Sequence, residues 1–222
     1  MRITALQPQK HHPERVNVFV DGAFRLGLAV EVASGAGLCV GAEVDEELLA
    51  AVERRDLAWK AREAALQLLA YRSRTEAELR RRLLHKEFPA DVVDACVGDL
   101  AERGFVDDGE FAAAFVRDRV RSRPRGGRRL VQELRARGVD REMAEETVER
   151  ALRQEDVTED SLAREAAEAW ARRALAGRSL GGPHGDDARR ARRRLYGYLA
   201  RRGFAPDAIR AAMDAVLAGA SD

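Results

Sequence analysis

The stretch Leu79-Arg-Arg-Arg-Leu-Leu-His-Lys-Glu-Phe-Pro-Ala-Asp-Val-Val-Asp-Ala-Cys-Val-Gly-Asp-Leu100 decides the fold, because its apolar skeleton returns twice further along the chain. That skeleton is Leu79, Leu83, Phe88, Val93, Val97 and Leu100. It comes back as Leu130, Leu134, Val139, Ala144, Val148 and Ala151, and again as Leu195, Leu199, Phe204, Ile209, Met213 and Val216. A basic, helix-ending segment separates the second and third apolar positions of each copy: His85-Lys86-Glu87, Arg135-Ala136-Arg137-Gly138, and Arg201-Arg202-Gly203. An acid follows in register, as Asp91, Glu142 and Asp207. Self-similarity at this period marks helical units that cannot bury their apolar faces alone and therefore stack. The expected fold is mainly α, a tandem array of three three-helix repeats, elongated and curved.

Working outward, Leu57, Ala61, Ala64, Ala65, Leu68 and Leu69 give one apolar helical face ahead of the first copy. Ser73 or Thr75 can cap the next helix, with Glu76 or Glu78 closing a capping box. Pro89 suits a helix start and Gly104 a helix end. The second unit opens with Phe105-Val-Asp-Asp-Gly-Glu-Phe-Ala112. There Asp107 stands in capping-box register with Glu110, and Val106 can staple onto Phe111. Capping explains these acids better than a two-metal nuclease site. Ser122-Arg-Pro-Arg-Gly-Gly127 reads as a loop, followed by helices over 128–137, ending at Gly138, and over 141–152. A third unit opens near Thr158, with Leu162, Ala166, Ala169, Trp170 and Ala174 on one face, and its last two helices span 187–202 and 206–217. The Gly-rich segment 177–187 enlarges its first loop and lacks the lysine spacing of a phosphate-binding loop.

The start of the chain is different. Val16, Val18 and Val20 alternate onto one face, Asp21-Gly22 is a two-residue turn, and Ala23–Leu26 returns as the second arm of a hairpin. Met1–Leu6 is expected as a third strand, Gln7–Pro13 as a polar loop, and Asp45 as the cap of a short linking helix, Glu46 to about Arg55. The expected domains are a β-rich extension (1–45), a linking helix (46–56), and repeats over 57–106, 107–156 and 157–222.

With 222 residues, 45% hydrophobic, 35% charged and 5% aromatic, the chain can build a helical core and solvate a large surface. Cys39 and Cys96 have no metal or redox spacing and are expected as buried free thiols in a reducing compartment. His11-His12 lacks further partners for a metal, and Trp170, Tyr196 and Tyr198 read as core or rim packing. No apolar run reaches the length of a membrane span, and the first residues lack a signal-peptide core, so a cytoplasmic location is expected.

The formal net charge of +1 conceals clustering. Arg117, Arg119, Arg121, Arg123, Arg125, Arg128 and Arg129 are interrupted by one acid, Asp118. Arg189, Arg190, Arg192, Arg193 and Arg194 form a second cluster, with Arg201 and Arg202 one helix end away, and Arg80, Arg81 and Arg82 a third. Aligned basic residues of this kind suit a polyanion or an acidic protein groove.

These residues resemble a known family. The stretch 105–112, the basic run 117–125 and Gly127-Arg-Arg-Leu-Val-Gln-Glu-Leu-Arg-Ala-Arg-Gly-Val139 are similar to the central block of RecX-type regulatory proteins. Ala70–Arg80 resembles that family's first repeat and Leu199–Asp207 its third, while residues 1–45 are similar to the amino-terminal extension of longer members. The loop at 177–185 departs from the family's compact spacing. The resemblance implies regulation rather than catalysis: binding in the groove of the RecA filament on single-stranded DNA, with suppression of strand exchange, ATP hydrolysis and co-protease activity. Free DNA binding by such proteins would be weak, and a monomer without cofactor or metal is expected. Asp107, Asp108, Phe111, Gly127, Leu134 and Gly138 carry the structural motif. The expected contact strip is Arg117, Arg121, Arg123, Arg125, Arg128, Arg129 and Arg135, extended by Arg189, Arg192, Arg193, Arg201 and Arg202. The competing reading is a helical module acting directly on nucleic acid, since trihelical units also resemble helix-turn-helix folds. A HEAT-like scaffold would use two long helices per unit, and an enzyme would need a catalytic constellation that the sequence does not offer.

Overall fold

The computed structural model describes residues 1–122, 124–174 and 186–218. The chain forms two compact units, Met1–Val106 and Asp107–Asp222.

The first unit begins with an antiparallel meander of β1 (Ile3–Gln9), β2 (His12–Val20) and β3 (Ala23–Ala29). Asp21 and Gly22 both adopt positive φ (49° and 83°), the geometry that a right-twisted two-residue hairpin requires. Val16, Val18 and Val20 face inward as their alternation predicts, joined by Ile3, Leu26 and Leu28. The expected polar loop at Gln7–Pro13 is instead strand on either side of a Lys10-His11 turn, with Gln7 opposite Asn17 and Gln9 opposite His12. A half-exposed edge strand needs no alternating apolar pattern, and Pro8 is tolerated there. A short helix, α1 (Val30–Gly35), follows and was not foreseen. Cys39 is exposed rather than buried, because its neighbour Leu38 takes the inward position; Cys96 is half-buried against the helical core.

The expected break near residue 56 does not occur. Helix α2 runs unbroken over Glu46–Tyr71, with Asp45 accepting the Leu48 N–H at 2.8 Å. It serves two cores in succession: Leu49 and Val52 pack under the sheet, and Ala65 packs against α3 (Glu76–His85) and α4 (Ala90–Glu102). Asp56 lies where the stripe changes sides. Its buried carboxylate accepts from the Ala29 N–H at 2.7 Å and pairs with Arg15 at 3.0 Å and Lys60 at 2.8 Å. Those partners satisfy a polar group that would otherwise terminate an apolar helix face. Thr75 caps α3 by accepting the Glu78 N–H at 3.1 Å.

The second unit holds α5 (Asp108–Ser122), α6 (Gly127–Arg135) and α7 (Arg141–Gln154), then α8 (Glu159–Ala174), α9 (Asp186–Arg201) and α10 (Pro206–Ala218). Its two trihelical repeats share one continuous core, from Ala112 and Leu134 to Leu199 and Met213. Val106 packs in the core of the first unit and Phe111 against the core of the second. Of the eighteen repeat positions, all are buried except Phe88 and Val216, which are half-buried.

The basic helix-ending segments adopt one geometry three times. Glu87, Gly138 and Gly203 occupy matching positions with φ of 65°, 95° and 79°. The following N–H of Phe88, Val139 or Phe204 returns to the carbonyl of Leu83, Leu134 or Leu199 at 3.4, 3.2 and 3.4 Å. This is a left-handed helix stop with a six-residue return bond, which satisfies a carbonyl the helix leaves open. The segment 177–185 and Arg123 lie outside the described residues.

Candidate partner-binding surface

The first basic cluster rides on α5 and the turn after it. Asp107 fixes the start of α5 by accepting the Glu110 N–H at 2.8 Å. Ala112, Val116 and Val120 then face the core, leaving Arg117 and Arg121 exposed. Arg121 is held by Glu155 through two bonds of 2.8 and 3.1 Å. Phe115, stacked on Phe111, lies under both Arg119 and Arg137, whose guanidinium carbons are 4.7 and 4.5 Å from its ring centre. This rigid aromatic base restrains two long cationic side chains.

Glu133 of α6 gathers the rest. Its carboxylate, 12% exposed, pairs with Arg125, with Arg129 at 2.8 Å and with Arg119 at 3.9 Å. One acid therefore faces three guanidinium groups. Burial lowers the Arg125 pKa from its ordinary value, Glu133 opposes that, and Arg119, Arg129 and Arg202 push it down further. An arginine remains charged regardless, so the direction reports burial first, with neighbouring positive charge adding to it.

The second cluster meets the first in a cleft of about 550 Å³. Arg125 and Arg129 line it from the α5–α6 side, Arg201 and Arg202 from the end of α9, and Glu165, Arg173 and Tyr198 complete it. Arg202 crosses to donate to the Pro124 carbonyl at 2.9 Å and lies 4.6 Å over the Tyr198 ring. A second cleft, about 530 Å³, shares Tyr198 and Arg201 and adds Trp170, Arg190, Arg193 and Arg194.

The fold thus brings together four predicted residues, Arg125, Arg129, Arg201 and Arg202, with Arg193 in the adjoining cleft. It sets others apart. Arg128 and Arg135 line a separate depression of about 810 Å³ with Arg141. Arg192 turns towards Asp214 at 3.5 Å, and Arg189 is exposed on α9. In the first unit, Arg80 is taken up by Glu76 at 3.0 Å and Asp94 at 3.2 Å. The motif residues are structural: Asp108 and Gly127 begin helices, Leu134 is fully buried, and Gly138 carries the positive φ.

Sequence reasoning missed Glu133 and Arg173, placed Arg190 and Arg194 in the second basic cluster but not in the contact strip, and read Trp170 and Tyr198 only as packing. Part of that signal was present, since Arg190, Arg194, Gly197, Tyr198 and Arg201 recur at the spacing of one helical face. Among the described residues, no group of three or more His, Cys, Asp or Glu side chains is placed to hold a metal, and no helix is long and apolar enough to cross a membrane.

Family models match this chain over most of its length: the regulatory protein RecX N-terminal domain over residues 1–45, and the first, second and third three-helix domains of RecX over 61–107, 107–148 and 158–213. The chain belongs to the RecX family. Regulatory protein RecX of Clostridium botulinum (strain Eklund 17B / Type B) is 28% identical over 211 residues, covering 94% of this chain and 93% of the relative. That of Clostridium botulinum (strain Alaska E43 / Type E3) is 31% identical over 65% of this chain and 68% of its own length. A crystal structure of regulatory protein RecX superposes with a TM-score of 0.73 at 26% identity, covering 96% of this chain and 98% of that one. RecX from Lactobacillus salivarius, at 22% identity and a TM-score of 0.57 over 73% of this chain and 97% of its own, shares the fold. The two Clostridium botulinum relatives and the first of these structures are named as regulatory proteins, which supports a regulatory role for this RecX-family chain. The larger cleft is lined from the second and third three-helix domains, and the adjoining one from the third alone.

Proposed function

We propose that this RecX-family protein binds in the groove of the RecA filament on single-stranded DNA and inhibits the recombinase, ATPase and co-protease activities of RecA. It would thereby modulate DNA repair and the SOS response as a cytoplasmic monomer. The observation that carries this reading is the convergence of Arg125, Arg129, Arg201 and Arg202, from two repeats, on one cleft. Convergent guanidinium groups bind carboxylates and phosphates through forked bonds, and a nucleoprotein filament offers both. Trihelical repeats also present extended surfaces rather than a reaction chamber.

The test is inhibition of RecA ATP hydrolysis by the full chain carrying Arg129→Ala and Arg201→Ala together. Both side chains are exposed, so helical content should hold while inhibition weakens by about tenfold or more. Undiminished inhibition would sink the assignment of this cleft. A filament binder also prefers RecA-coated over bare DNA at physiological salt. Equal binding to the two would favour a module acting on nucleic acid alone.

A further inference from the structure

Helix α9 presents Arg190, Arg193, Arg194, Tyr198 and Arg201 to one cleft, and α8 supplies Trp170 on its other side. Four guanidinium groups and two aromatic rings line about 530 Å³, and no carboxylate is among the described residues that line it. Both rings are half-buried, anchored against the core of the unit with part of each surface left open. Arg202 already lies over Tyr198, its guanidinium carbon 4.6 Å from the ring centre, so this ring is already used as a platform for a cation.

We propose that this cleft is a single-stranded nucleic-acid subsite, with a base stacked against Trp170 or Tyr198 and the flanking phosphates held by Arg190, Arg193, Arg194 and Arg201. The chemistry selects that ligand over two others. Aromatic faces carry negative quadrupole density, which disfavours a carboxylate laid on them but accepts the π-face of a base. An acidic peptide would satisfy the arginines and leave the rings unused. A duplex would satisfy the arginines too, but its bases are already stacked and paired and cannot enter between two helices. Unstacked bases, a basic track and aromatic platforms are together the usual composition of a single-strand site. The shared residues Tyr198 and Arg201 continue the track into the cleft that holds Arg125 and Arg129.

This subsite deepens the filament reading and rests on it for its biological setting, but it can be tested without RecA. The chain has two tryptophans, Trp59 in the first unit and Trp170 in the cleft. A short deoxythymidine oligonucleotide should quench tryptophan emission of the full-length protein saturably, and Trp59→Phe should retain the quench. Trp170→Phe should lose most of it. Trp170→Leu should lower affinity by about tenfold, the scale of one lost base stack. Because that change also removes a ring packed against the core, Arg193→Ala with Arg194→Ala, both exposed, provides a second arm: the slope of log K against log salt should become shallower by about 1.4, for two lost contacts to a single strand. A duplex of the same length, or a poly-aspartate peptide, should leave Trp170 emission unchanged. Equal quenching by the peptide would make the occupant an acidic protein segment and overturn the proposal, and so would absence of any quench. Unquenched Trp170 with intact inhibition of RecA ATPase would remove the subsite and leave the filament reading standing. Quenching without inhibition would do the reverse.

Discussion

The amide N–H of Gly126 donates to the carbonyl of Arg202 at 3.0 Å, laying the turn before α6 directly on the turn after α9. A Cβ carbon on Gly126 would fall 2.2 Å from the Gly203 carbonyl oxygen, and one on Gly203 would fall 2.5 Å from the Cβ of Arg129. Hydrogen in place of a side chain at both positions lets two backbones touch. That contact sets Arg125 and Arg129 beside Arg201 and Arg202. Packing and candidate function therefore depend on the same pair of glycines.

Gly126→Ala should consequently damage both. The overlap is with backbone, which cannot swing aside, so overpacking should lower the stability of the second unit by about 2 kcal/mol or more. Gly203→Ala should cost at least as much, because its φ of 79° is strained for any side chain. Thermal unfolding followed by circular dichroism should show the loss in both variants. Gly127→Ala is the control: its added carbon would meet only Val148, at an ordinary 3.6 Å.

In the first unit, Asp56 joins sheet to helix. Burial alone would raise the pKa of its carboxyl, but Arg15, Lys60 and the Ala29 N–H together hold it below the ordinary value. A depressed folded-state pKa contributes stability that is present above the unfolded value of about 3.9 and disappears as pH falls through the folded value. Acid should thus weaken the first unit below about pH 4. Asp56→Ala should remove that dependence and leave Arg15 half-buried without its partner, at a cost of about 3 kcal/mol in urea unfolding. Unchanged acid sensitivity in the variant would show that another group carries it.

Legibility differed between elements for physical reasons. The repeat skeleton was readable because burial imposes an apolar period, and Leu79, Leu130 and Leu195 fill equivalent buried positions. The continuity of α2 was not, because one helix changes from a sheet core to a helical core and its apolar stripe shifts face at Asp56. Strand β1 was underestimated where its outer face is polar. At the candidate surface, the clusters announced positive charge but not its distribution. Arg192 and Arg193 are adjacent in sequence and point to different partners, Asp214 and the aromatic cleft. Glu133 gave a local signal only for Arg129, four residues before it on the same helix; its other two partners approach from α5 and from the following turn.

Separation of the arginines makes a graded prediction. Arg201 lies at the junction of the two clefts, whereas Arg128 lines the separate depression with Arg135 and Arg141. Arg201→Ala should weaken RecA inhibition by about tenfold, and Arg128→Ala by no more than about threefold, as expected of a peripheral charge. Titrating each variant against RecA ATPase gives the comparison. A larger effect at Arg128 would move the contact to the α6–α7 face.

Glu133 sets structure against binding. Its carboxylate neutralises part of the charge of Arg119, Arg125 and Arg129, and any anionic partner must share those guanidinium groups with it. Glu133→Gln keeps the shape and one acceptor oxygen but removes the charge. Arg125, half-buried, loses its counter-ion, so the second unit should become less stable by about 1–3 kcal/mol. The same change raises the net charge beside the cleft arginines Arg125 and Arg129 by one, so affinity for a single-stranded oligonucleotide should rise at low salt and fall more steeply as salt is added. Lower thermal stability together with tighter, more salt-sensitive binding is the expected pair of results, read by calorimetry and by oligonucleotide titration across a salt series. Lower stability with unchanged binding would confine Glu133 to a structural role and place the partner's negative charge elsewhere on the molecule.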